Sequence, residues 1–232
     1  MGYSTFFQIR MYSHALHFSS SKILQIIIGI AIIAIIEGTA IFLDQVLYIR
    51  PLLIVGIERL LEIIMIIWVV MAREGGMFSI GLSPSTIIKG INKGLLWSFI
   101  FGAATGLVFL TLHFTGINPL TLIHSRLPEN NKDLFLFLLV SCAIGPAAEE
   151  LFFRGILYGF FRRWGIAAAL IFSTIIFILA HNNIRSIPVT QAAGGIIFAI
   201  SYEVEKSLMV PIVIHILGNA AIFILPFISQ YP

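Results

Sequence analysis

Charge is what this sequence has least of. Only 14 Lys/Arg and 11 Asp/Glu are spread over 232 residues. A soluble domain carries about 25% charged residues, so the 11% found here excludes an ordinary water-facing surface. Cysteine is nearly absent: Cys142 alone excludes an intramolecular disulfide framework and any CxxC metal or redox site. The net charge is +3, yet the basic residues lie between apolar runs without interleaved aromatics, which argues against a nucleic-acid partner. Low-complexity tracts, linkers and a second soluble domain are not visible. Nor does the N-terminus read as a signal peptide, since Arg10 is followed by Met11-Tyr12-Ser13-His14 and not by an apolar core.

Apolar residues fill the space that charge leaves. They make up 59% of the chain, Phe alone contributes 20, and the mean hydropathy is +1.01. Several apolar runs reach the roughly 20 residues that cross a hydrocarbon core. The fold class this predicts is all-α: a polytopic transmembrane helical bundle of about seven spans, embedded in membrane lipid. The expected spans run over Ile23–Leu43, Leu52–Met71, Gly94–Phe114, Leu134–Phe153, Ile166–Ala180, Pro188–Tyr202 and Leu208–Phe227. Residues 1–21, with Phe6, Phe7, Ile9, Tyr12, Leu16 and Phe18, suit an N-terminal interfacial segment. Residues 22–232 then form a single transmembrane bundle. Ser83-Pro84-Ser85 marks a helix start before the third span. Gly102/Gly106 and Gly155/Gly159 have the spacing that lets helices approach closely.

Counting loops alternately puts Arg10, Lys22, Arg73, Lys89, Lys93, Arg162, Arg163 and Lys206 on one side, and Arg50, Arg126, Lys132 and Arg185 on the other. The positive-inside rule then places the N-terminus in the cytoplasm, and the odd number of spans puts the C-terminus outside.

The fourth span ends on Glu149-Glu150-Leu151-Phe152-Phe153-Arg154. One charge near the bilayer centre costs roughly 2.5–3.5 kcal/mol on insertion scales. Three ionisable groups within six residues therefore mark a functional site unless they merely sit at the interface. Glu150 and Arg154 are four apart and share a helix face, so they can pair. Glu149 is rotated about 100° away and is left as the free carboxylate facing a cavity. His181 closes the fifth span, and His215 lies within the seventh with Asn219 one turn further on. His215 and Asn219 could both donate to one point, as an oxyanion requires; a helix–helix hydrogen-bond pair is the plain alternative. Pro146 and Pro211 each open the backbone near a polar group. Glu37, Glu58, Arg59 and Glu62 line a pathway, support the site or simply tie helices together, with Arg59 and Glu62 at pairing distance in sequence. Cys142 reads as a small packing residue and His113 as interfacial.

Together these motifs resemble the CAAX prenyl-protease and bacteriocin-processing family, also called Abi, of intramembrane endopeptidases. Its EExxxR pattern matches Glu149-Glu150 to Arg154, its FxxxH matches Phe177 to His181, and its HxxxN matches His215 to Asn219. All three fall within the motif region 134–228. The resemblance implies that Glu149 and His181 activate a water and that His215 and Asn219 stabilise the oxyanion. Glu150 and Arg154 then give structural support.

The cofactor stays open: the family is often labelled metalloprotease, and a metal-free glutamate mechanism is the other reading. Zinc could take a carboxylate and two imidazoles, although no HExxH spacing supports it. The implied substrate is a protein or peptide near the membrane or anchored by lipid, prenylated substrates included. The compact chain suits a prokaryotic plasma membrane, and its oligomeric state is open. A proton-coupled transporter and a catalytically idle scaffold or immunity factor are the rival functions.

Overall fold

The computed structural model describes residues 3–46, 50–73, 76–123, 127, 128, 130–181 and 189–229; for residues 3–22 it describes the backbone alone. Arg126, Arg185, Asn182, Asn183 and Pro188 lie outside the described residues, as do the side chains of Arg10, Lys22 and Arg73. Seven helices make up the described chain: α1 (Tyr3–Val46), α2 (Pro51–Arg73), α3 (Pro84–Phe114), α4 (Asn131–Trp164), α5 (Ile166–Ala180), α6 (Val189–Glu205) and α7 (Met209–Ser229). Ile-rich stretches such as Ile26-Ile27-Ile28 are mediocre helix formers in water. In hydrocarbon, however, only an internally hydrogen-bonded backbone is tolerated, and helix wins.

Among the described residues, Ile26–Val46, Met77–Phe114 and Asn131–Trp164 are long and apolar enough to cross a membrane, and Ile166–Ala180 and Met209–Leu225 are shorter apolar helices. The outward faces match that reading. Ile35, Phe99 and Leu107 are 68%, 75% and 66% exposed, an apolar surface that suits lipid and not water. From Tyr3 the helix runs unbroken into the first span, with no break at residue 21.

The core joins α2, α4, α5, α6 and α7 through Ile66, Val70, Leu151, Phe153, Phe177, Phe198 and Ile214. α3 packs along α7. Gly90 and Gly94 permit this: a Cβ on Gly90 would lie 2.7 Å from Met209 Cβ, and one on Gly94 would lie 2.6 Å from Val213 Cβ. Of the glycine pairs expected to pack, Gly102 and Gly106 face open space and Gly155 meets only Ile80, so the close approach belongs to a different pair. Gly81, at φ 75°, ends the short turn before α3 where a side chain would strike the Lys206 carbonyl. This interlocks the α3 start with the α6–α7 turn. The predicted helix start is found: Ser83 caps α3, its N–H donating to Thr86 Oγ1 at 3.2 Å.

One boundary needs correction. The fourth span was expected to stop at Phe153, with the acidic motif at its end. Instead α4 continues to Trp164, and the motif lies in its middle. The charges are neutralised by neighbours inside the protein, so nothing forces the helix to end. It closes on Gly165 at φ 109°, beside Arg163 stacked 3.7 Å from the Phe160 ring and 4.2 Å from Trp164. An aromatic–basic cluster of this kind suits a membrane–water boundary.

Beyond the expected span end at Tyr202, Glu203 accepts from Tyr158 Oη at 2.7 Å and Arg162 Nε at 3.0 Å, and pairs with Lys206 Nζ at 2.6 Å. Burial alone would raise the Glu203 pKa, but these donors outweigh it and hold the carboxyl at about 2.

Candidate active site

Two widened π turns, Leu139–Ile144 and Leu151–Tyr158, bracket the Gly145–Glu150 segment of α4. Such turns are rare and concentrate at functional sites. The first has a visible cause. Gly145 N–H donates to Val140 O, five residues back. In that register Pro146 would serve Ser141 O, but proline has no N–H. The orphaned Ser141 carbonyl is taken by Asn219 Nδ2 at 2.9 Å. Asn219 thus replaces the missing backbone donor and ties α7 to α4, with its second amide hydrogen still to spend.

Glu150 and Arg154 are fully buried and joined at 3.0 Å. A buried guanidinium is costly unless its charge is paired; Nη1 of Arg154 serves Glu150, while its Nε has no hydrogen-bond partner. Arg154 Nη2 donates to Gly195 O at 3.1 Å, and its charge lies over the Phe177 and Phe198 rings at 4.8 and 5.2 Å. Glu150 Oε1 also meets His215 Nδ1 at 2.8 Å. The ring of His215 stacks on Phe198, with centroids 4.5 Å apart. The link from Glu150 to His215 crosses 65 positions of sequence, and no motif spacing announces it.

Glu149 lies on the other side of this pair. Its Oε2 is 3.2 Å from His181 Nε2 and 3.7 Å from His215 Nε2. The tautomers follow from the partners. His181 Nδ1 lies 2.8 Å from Phe177 O, which can only accept, so Nδ1 carries the hydrogen. His215 Nδ1 faces the arginine-paired Glu150 and donates likewise. Both Nε2 atoms therefore turn on one Glu149 oxygen, and that buried oxygen has no aligned hydrogen-bond donor. A proton shared across the Glu149–imidazole contacts, a water or a cation would complete it.

The structure thus brings Glu149, His181 and His215 into one cluster, with Glu150 and Arg154 directly behind and Asn219 bound at Ser141. Phe177 contributes beyond its motif position: its ring packs 4.4 Å from His181 while its carbonyl fixes the imidazole. Arg59 on α2 is close enough for its charge to act on Glu149 and His181. Ser141 and Gly195 are the contributors that sequence reasoning missed. Both act through backbone carbonyls, which carry no residue-type signal. Cys142 is buried and unpaired by any disulfide, in line with packing. His113 is on an exposed part of α3.

With this geometry in view, comparison with known proteins is informative. The family model described as Type II CAAX prenyl endopeptidase Rce1-like matches residues 131–221, a stretch that contains all three motifs. Over 101 residues the chain is 35% identical to the membrane-embedded CAAX protease MroQ of Staphylococcus aureus (strain USA300), covering 40% of each chain. Over 161 residues it is 29% identical to YdiL of Bacillus subtilis (strain 168), named as a membrane peptidase; this covers 66% of the present chain and 60% of that protein. The matches thus span less than two thirds of either relative's length, 40% and 60%. No solved structure matches. The resemblance carried by the three motifs is found again, independently, over the region that builds the site.

Proposed function

We propose that this protein is an intramembrane endopeptidase hydrolysing a peptide bond of a membrane-proximal or lipid-anchored protein or peptide. One observation carries the reading: both imidazole Nε2 atoms turn on a single buried oxygen of Glu149. The similarity of residues 131–221 to CAAX endopeptidases supports it.

Glu149, with His181, takes a proton from water as the water oxygen bonds to the scissile carbonyl carbon. The C–N bond then breaks, and the same proton passes to the leaving nitrogen. His215, its Nδ1–H fixed on Glu150, presents Nε2–H to the oxyanion when protonated. The remaining amide hydrogen of Asn219 is the second donor. Glu150 and Arg154 hold His215 in place and serve as positioning residues.

By residue type the donor set could also hold a zinc ion, although its three donor atoms do not all lie within 4.8 Å of one another. Each Nδ1–H is held by an acceptor, which is how zinc-bound imidazoles are oriented. Glu149, His181 and His215 would be its ligands, and a bound ion would supply Lewis-acid activation of the water. The relatives' names specify proteases and no metal.

Prenylated peptides of CAAX type are the first substrates to offer. A bacterial plasma membrane with a cytoplasmic N-terminus is the proposed setting. Purified protein should cleave a quenched-fluorescent prenylated peptide, and Glu149→Ala should not. Full activity in Glu149→Ala would overturn the assignment. Activity lost to a chelator and restored by zinc would select the metal form. If neither protein cleaves any lipid-anchored peptide, partner binding that survives loss of Glu149 and His181 would favour the scaffold. Proton flux in proteoliposomes would favour the transporter.

A further inference from the structure

The described carboxylates outside the active site gather most closely between α1 and α2. Glu37, Glu58 and Glu62 each bring an oxygen within 4.8 Å of the others. Arg59 is the cation of this group, 2.7 Å from Glu62 Oε2 and 3.7 Å from Glu37 Oε1. Glu58 is 8% exposed and has no hydrogen bond or ion pair among the described residues. Glu62 is 2% exposed, and its second oxygen, Oε1, is buried with no hydrogen-bond partner. These acids are within apolar helices, where a carboxylate without a partner is expensive. With all three carboxylates ionised, the one guanidinium would leave two negative charges uncompensated.

A cavity of about 270 Å³ adjoins the group, lined by Glu37, Ala40, Ile41, Asp44, Ile54 and Glu58. A water molecule takes about 30 Å³, so the cavity has room for a cation with part of its hydration shell. Asp44, exposed at its rim, marks a polar route in from the helix end.

We infer that Glu37, Glu58 and Glu62 form a binding site for one hard divalent cation, of the Mg²⁺, Ca²⁺ or Mn²⁺ class, that clasps α1 to α2. The charge sum closes: two positive charges balance the two left over. The ligand chemistry selects the class, because an all-oxygen set suits hard cations and lacks the imidazole or thiolate that zinc prefers. Glu62, 2% exposed, is the ligand residue buried deepest. Glu37 is the ligand from the opposing helix, so the ion bridges the two. Arg59, held by Glu62 and Glu37, then keeps its place between this site and Glu149.

The test is Mn²⁺ titration of the purified full chain in detergent, followed by electron paramagnetic resonance with Ca²⁺ and Mg²⁺ as competitors. Wild type should bind one Mn²⁺ displaceable by Ca²⁺ or Mg²⁺, and its melting temperature should rise with the ion. Glu58→Gln and Glu37→Gln should each weaken binding by about tenfold or more, as even outer-shell losses at metal sites do. Glu37 is about half exposed, so its variant remains informative if Glu58→Gln folds poorly. Glu149→Ala and His181→Ala should leave Mn²⁺ binding unchanged. No binding by wild type would overturn the proposal and leave the acids to share protons. Binding that persists in both Gln variants, or vanishes in Glu149→Ala, would place the ion elsewhere and overturn it equally.

Discussion

Around Glu149 and Glu150 the carboxylates meet two imidazoles and a buried guanidinium, whereas around Glu58 and Glu62 they meet each other and a single Arg59. The first group is held by partners of the protein's own: Arg154 on Glu150, His215 on Glu150, His181 on Glu149, with Glu149 Oε2, Glu150 Oε2 and Arg154 Nε left without an aligned hydrogen bond. In the second, Glu58 has no ion-pair partner among the described residues, and Glu37 and Glu62 share the one guanidinium. Both face the same cost of removing charge from water. One meets it with groups that can move protons, as hydrolysis needs. The other offers carboxylate oxygens beside a cavity, with Arg59 its one cation, and no imidazole. Side-chain type, more than depth, separates the proposed reaction site from the proposed cation site.

Breaking that comparison begins with its largest expected effect. His181→Ala removes the imidazole next to Glu149 and should lower kcat by about 10²–10⁴, the usual share of general acid–base catalysis. The His181 side chain is 29% exposed, so melting should move little. An active His181→Ala would erase the difference between the two groups. Next comes Glu150→Ala, which strands a fully buried Arg154 and should destabilise by about 3–5 kcal/mol. Melting in detergent reads this directly. A double change, Glu150→Leu with Arg154→Met, should recover much of the melting temperature. It should remain inactive, because His215 Nδ1 has then lost its acceptor.

Asn219→Ala sharpens the account of the π turn. It leaves Ser141 O without a donor and should cost about 1–3 kcal/mol; an unchanged melting temperature would mean that carbonyl finds another partner. The smallest effect belongs to Glu203, outside both groups. Its carboxyl is held at about 2, below the ordinary range near 4.3. The stability this gives is present above the ordinary range and is lost as pH falls toward about 2. Glu203→Gln should therefore melt slightly below wild type at pH 7, by under about 1 kcal/mol. The gap should narrow on acidification below pH 4; a gap that widens would reverse the sign.

Much of this was legible in sequence because polar groups in apolar runs stand out. Glu149, Glu150, Arg154, His181, His215 and Asn219 were all visible as exceptions to their surroundings, and four-residue spacing anticipated the Glu150–Arg154 pair. The helices followed from run length. The rest depends on geometry that spacing does not encode. Pro146 marks an opened backbone in sequence but not the five-residue register around it, and the Ser141–Asn219 bond follows from that register. α4 runs past the expected end at Phe153 to Trp164 because its charges find partners inside the protein. Small-residue spacing pointed to Gly102 and Gly106, yet the partner helix lies against Gly90 and Gly94. A four-residue repeat says nothing about which face meets a neighbour.

The most direct test sets Glu149→Gln beside Glu150→Gln, two near-isosteric changes one residue apart, and measures both peptide turnover and melting temperature in detergent. The account predicts that Glu149→Gln loses turnover while its melting temperature stays close to wild type. It predicts that Glu150→Gln melts well below wild type, because a neutral amide cannot hold Arg154 and His215. The reverse pattern, with turnover kept in Glu149→Gln and stability kept in Glu150→Gln, would contradict the division of labour between the two glutamates.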